Sequence, residues 1–223
     1  MTWAYVWAMI AWVLIPGVKR GRKLIVSAIL ILGILPDADL LLGSLGVVHR
    51  TFMHSFFFWI IIFLPLFIIF RLKSIPYFVA VVQHFAFGDL LMGRGVMIFW
   101  PFNSSLVGFN IGMPSLIDVA FEVAGLLLAL GIIVYCGDLK RLFSIDKSNI
   151  FMLLPLLALL ASALFFASHW SSVNLFASYL LSSNLLTALA IGHLILFTFL
   201  AVSTLQGLRA LRTKKTHRDS VSK

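Results

Sequence analysis

Long apolar runs separated by short polar or basic breaks set the pattern of this chain. The runs cover residues 3–16, 24–42, 55–70, 77–92, 116–136, 150–168 and 185–205. About 20 apolar residues cross the ~30 Å hydrocarbon layer of a bilayer as a helix. The pattern therefore predicts an all-α, polytopic membrane helical bundle with about seven transmembrane helices. The first run is short and holds three tryptophans, and its basic residues Lys19, Arg20, Arg22 and Lys23 follow it. A secretory signal carries its charges before the apolar run, so a retained helix is predicted. Residues 93–114 read as a loop, and 169–184 as a loop with an interfacial segment. One membrane domain over 1–208, with a motif core at 30–122, is expected to precede a basic, disordered cytoplasmic tail at 209–223.

Composition agrees with a membrane solvent. Hydrophobic residues make up 61% of the 223 positions and charged residues 11%, against about a quarter charged in soluble domains. The net charge of +9 suggests nucleic acid only until the basic residues are placed. All of them except Arg50 and Arg94 fall in the loops or tail on one and the same side of the predicted spans. That asymmetry is the positive-inside pattern; it puts the amino terminus outside and the carboxyl terminus in the cytoplasm, and removes the need for a nucleic-acid partner. The single cysteine, Cys136, excludes an intramolecular disulfide.

Chemistry-bearing residues concentrate in LPDADL (35–40), HRTFMHS (49–55) and QHFAFGDLLMGRGVMIFWPF (83–102). These place Asp37, Asp39, His49, His54, His84 and Asp89 in an otherwise apolar chain. Such groups are costly in lipid unless paired, and a divalent ion held by nitrogen and oxygen donors supplies that compensation. Asp118 and Glu122, four apart, differ by about 40° around a helix and share a face. His84 and Asp89, five apart, differ by about 140° and need a helix distortion to share one ion; Gly88 offers one. His193, His169 and His217 have ordinary readings, as an interhelical hydrogen-bonding group, an interfacial anchor and a tail residue.

The three blocks PDADL, HRTFMHS and HFAFGDLLMGRGVMIFWP resemble those of the LexA-regulated, membrane-bound metal-dependent hydrolase family of prokaryotic inner-membrane proteins. The resemblance covers residues 30–105. It implies functional roles for Asp37, Asp39, His49, Arg50, His54, Ser55, His84 and Asp89. Family members often carry a further histidine near the amino terminus, and Met1 to Lys23 has none.

The combined expectation is a metal-dependent hydrolase of the cell inner membrane with an extracytoplasmic site. Asp37, Asp39, His54, His84 and Asp89 are the expected ligands of a divalent metal, zinc first and manganese second. His49, Asp118 and Glu122 are the expected catalytic groups, as acid, base or further ligands. Arg50, Arg94 and Ser55 are the expected substrate-binding groups, the guanidinium forks suiting the phosphate of a membrane lipid or lipid-linked substrate. Signatures of zincins, serine hydrolases, P-loop and dinucleotide enzymes are missing from the sequence. A proton- or cation-coupled transporter is the competing class, because intramembrane Asp, Glu and His also build ion pathways. It would distribute such groups across the whole membrane, whereas here they cluster towards one side.

Overall fold

A computed structural model describes residues 1–16, 24–92, 95–109, 111, 115–160 and 184–221. The basic loop 17–23, Arg94 and all but the last residue of the expected interfacial segment at 169–184 lie outside the described residues. Among those described, the chain is all-helical, and its one β feature is an isolated antiparallel bridge, Val96–Val107. The chain divides into two compact units, Met1–Ala129 and Leu130–Lys223.

Among the described residues, three stretches are long and apolar enough to cross a membrane: Phe56–Asp89, Leu116–Tyr135 and Ile191–Arg212. Local chemistry explains why the other expected spans differ. Helix α1, Thr2–Leu14, has 13 residues and so reaches only about 20 Å. Helix α2, Val26–Leu32, stops at Gly33 and passes into a 3-10 helix, Leu35–Leu45. Pro36 near its start has no N–H to donate and disfavours α geometry at Leu35. Gly46, at φ 82, closes this segment in the left-handed conformation.

The Phe56–Asp89 stretch is a hairpin rather than one rod. Helix α3, Phe56–Phe70, ends at Arg71, whose φ of 52 turns the chain through a short 3-10 segment into helix α4, Ile75–Gln83. The rings of Phe63 and Phe78 consequently lie 5.4 Å apart. Along one straight helix their fifteen-residue separation would be about 22 Å. Trp59, Phe63, Val81 and Phe85 from the two arms form a buried core with Val96 and Ile98. A π-helical turn, His84–Asp89, follows α4 directly. The hairpin thus has Arg71 and Lys73 at its closed end and the histidine-bearing segments at its open end.

Helix α1 packs along α2 and α4 with Ala4 and Ala8 fully buried. A Cβ at Gly33 would lie 2.3 Å from the Ala4 Cβ, so the close approach requires glycine. Helix α5, Leu116–Tyr135, meets α1 through Trp3, whose indole stacks on Phe121 and donates to its carbonyl at 3.2 Å.

In the second unit, the short helix α6, Asp138–Leu142, ends with carbonyls that need donors. The buried Asn149 amide supplies them, donating to the carbonyls of Arg141, Leu142 and Ser144. Helix α7, Lys147–Leu160, begins as a 3-10 turn. It packs against helix α8, Asn184–Val221, where a Cβ at Gly207 would lie 2.3 Å from the Ile150 nitrogen. The residues from Arg209 onward, expected as a disordered tail, continue α8 as far as Val221.

Candidate metal centre

The open end of the α3–α4 hairpin collects the polar residues of all three sequence blocks. The 3-10 helix supplies Asp37 and Asp39, a turn at Thr51–Ser55 supplies His54, and the π turn supplies His84 and Asp89. Hydrogen bonding from i to i+5 makes five residues roughly one turn, so His84 and Asp89 come to one side of their element. This is the distortion that their spacing demands.

Four side-chain atoms converge. His54 Nε2 lies 3.7 Å from Asp37 Oδ1 and 3.3 Å from Asp89 Oδ2. His84 Nε2 lies 3.2 Å from Asp37 Oδ1 and 3.4 Å from Asp89 Oδ2. His54 is fully buried, and both its Nε2 and Asp89 Oδ2 are buried without a hydrogen bond. Donors at 2.0–2.1 Å from a tetrahedral ion stand about 3.3 Å from one another, close to the four histidine–carboxylate distances, and Asp37, His54 and His84 offer ligand atoms within 4.8 Å of one another. His84 Nε2 and Asp37 Oδ1 are within hydrogen-bond reach of each other at 3.2 Å, while His54 Nε2 and Asp89 Oδ2, buried without a hydrogen bond, fit a divalent ion.

The surroundings orient these donors. His84 Nδ1 donates to the Gly33 carbonyl at 2.9 Å, which leaves Nε2 with its lone pair towards the cluster. Asp89 Oδ1 pairs with the Arg50 guanidinium at 3.2 Å. Asp39, fully buried, stands on the other side of His54, 3.2 Å from Nδ1 without hydrogen-bond alignment. Its oxygens accept from His49 Nδ1 at 2.6 Å and from the Arg50 backbone N–H at 3.0 Å. Asp39 is therefore placed behind the cluster, bracing His49 and His54, and shares with them a second grouping of ligand-type atoms. Burial disfavours charge on His54, but the carboxylates of Asp37, Asp39 and Asp89 more than offset it and hold its pKa up at about 10.

Other expected site residues sit differently. Ser55 is fully buried; its hydroxyl donates to the Trp100 carbonyl and accepts from the Phe57 N–H, so it caps α3 and tethers the following loop. Asp118 and Glu122 lie on the first turns of α5, in neither grouping of converging ligand atoms, and the Asp118 backbone N–H donates to the Ser115 hydroxyl at 3.1 Å. Arg50 sits at φ 69, a strained conformation for a residue with a side chain, and its Nε is buried without a partner. Sequence reasoning missed the Gly33 carbonyl and the Arg50–Asp89 pair. A glycine at a helix end and an arginine next to His49 were the only signals for them.

The long apolar helices define an integral membrane protein, and its histidine–carboxylate cluster holds residue types that could ligate a metal. The chain belongs to the YdjM inner membrane protein family, which matches residues 4–171, the whole cluster included. No curated protein and no solved structure matches the chain.

Proposed function

We propose that this protein is a membrane-embedded, metal-dependent hydrolase that cleaves a phosphoester or lipid-headgroup substrate. The observation that carries the proposal is the convergence of Asp37, His54, His84 and Asp89, with His54 Nε2 and Asp89 Oδ2 buried without a hydrogen bond. These four residues would hold the ion, with Asp39 and the Gly33 carbonyl orienting the two imidazoles. Mixed nitrogen and oxygen donors suit zinc, with manganese next. Such an ion supplies Lewis acidity and lowers the pKa of water towards neutrality.

The chain's own residues supply the rest. His49 is partly exposed beside the cluster, its ring 5.0 Å from that of His54. The Asp39 carboxylate fixes its Nδ1, so His49 Nε2 is the atom that takes or gives the proton, and the carboxylate stabilises the imidazolium formed. Arg50 holds Asp89 through one guanidinium nitrogen and has an unused buried Nε–H for a phosphate oxygen. The basic closed end of the hairpin, Arg71 and Lys73, favours the cytoplasmic face by the positive-inside tendency. That tendency supports a site at the extracytoplasmic side.

Elemental analysis of detergent-purified protein tests the reading. Wild type should carry about one zinc or manganese per chain, and His54→Ala and Asp89→Ala should each lose it. A wild type that stays metal-free after reconstitution sinks the proposal.

A further inference from the structure

Residues 96–109 form an apolar hairpin that is stitched to the cluster at every side. Val96 and Val107 exchange backbone hydrogen bonds at 3.0 Å, closing its base. Gly95, at φ 91, and Gly108 approach so closely there that a Cβ on Gly108 would lie 2.6 Å from the Gly95 Cα. The Met97 N–H donates to the Arg50 carbonyl, and the Ile98 carbonyl accepts from the Phe56 N–H, two residues after His54. The Phe109 N–H donates to the carbonyl of Leu90, next to Asp89. The hairpin is thus fixed to the backbone that carries Arg50, His54 and Asp89.

Its inner residues Val96 and Ile98 join the core, while its outer aromatics remain largely exposed, although the rings of Phe102 and Phe57 lie 4.8 Å apart. Phe102 is 79% exposed, Phe109 70%, Phe99 48% and Trp100 37%. No Asp, Glu, Lys, Arg or His occurs from Gly95 to Ile117, and the polar residues at the tip are Asn103, Ser104 and Ser105. Exposed aromatics beside small uncharged polar groups suit the headgroup–acyl boundary, where rings enter the apolar layer and amides and hydroxyls remain hydrated. Bulk water would not favour such a patch, and a folded soluble partner usually meets some charge at its rim.

We propose that the 96–109 hairpin is a bilayer-seated element, with Phe99, Trp100, Phe102 and Phe109 in the interfacial layer of the membrane. This seating fixes the level of the adjoining cluster relative to the lipid surface, independently of what the cluster does.

The test uses full-length protein in phosphatidylethanolamine–phosphatidylglycerol vesicles. Cys136, the single cysteine, is replaced by serine, and a nitroxide is attached after Phe102→Cys or, separately, Phe109→Cys, with Ser144→Cys as an exposed reference. Both hairpin labels should collide with lipid-soluble oxygen about tenfold more than with a water-soluble nickel chelate, relative to Ser144, at a depth of about 5–10 Å. Dominant collision with the nickel chelate would place the hairpin in water and overturn the proposal. Protection from both probes would mean a protein neighbour covers it, a second copy included, and would overturn it equally. Neither readout needs bound metal or turnover.

Discussion

His84 and Asp89 are five residues apart in sequence, yet His84 Nε2 and Asp89 Oδ2 lie 3.4 Å from each other. The π turn that joins them stacks the two side chains on one side of the chain. An α-helical turn over the same residues would leave them about 140° apart. Asp89→Asn and His84→Ala should therefore both abolish metal retention. Asp118→Asn and Glu122→Gln, which alter residues outside the converging atoms, should retain it. Elemental analysis of the four variants checks this, and metal loss in the α5 variants would bring those carboxylates back into the ligand set.

Gly33 joins packing to chemistry. Any larger residue there meets Ala4, and the same residue's carbonyl holds His84 Nδ1. Gly33→Ala should destabilise the protein by about 1–3 kcal/mol through overpacking. It should also weaken metal binding roughly 10- to 100-fold, as loss of an orienting partner does. Thermal unfolding and metal titration measure the two effects separately. A variant that lost stability but bound metal unchanged would show that overpacking against Ala4 leaves the carbonyl in place against His84.

The cluster residues were readable in the sequence because six titratable groups in an apolar chain demand compensation. Even the required helix distortion between His84 and Asp89 followed from their spacing. Partner choice was less accessible. Asp37 and Asp39 are equivalent as residue types two positions apart, and only the fold puts one in front of His54 and the other behind it. Asp118 and Glu122 have ligand-like spacing, but spacing on one helix says nothing about which neighbour it faces. The span count misled for a related reason. Hydropathy does place the break between the two arms at 71–75, but it records only how apolar a run is, and is blind to the change at Gly33 and Pro36 that ends α2 after seven residues.

The pairing of Arg50 with Asp89 and its proposed role in holding phosphate are separated by a conservative substitution. One guanidinium nitrogen pairs with Asp89, and the buried Nε has no partner. Lysine can keep the charge near Asp89 but has no planar fork for a phosphate. Arg50→Lys should weaken inhibition by inorganic phosphate about tenfold or more while changing metal affinity by less. Equal losses of both would mean that Arg50 serves Asp89 alone.

His54 gives the metal-free protein a defined response to pH. Its pKa is raised from the model-compound value of 6.5 to about 10 by the carboxylates around it, against the opposing effect of burial. A group bound more tightly to its proton in the folded state stabilises the fold in full below about pH 6.5. That contribution declines as pH rises towards 10. Metal-free protein should accordingly lose thermal stability between those values, and His54→Gln should flatten the profile. A bound ion reverses the trend, because His54 must give up its proton to become a ligand. Metal affinity should rise with pH over the same window, and calorimetry in buffers of different ionisation enthalpy should register proton release on binding. Affinity that is independent of pH, with no proton released, would take His54 out of the ligand set.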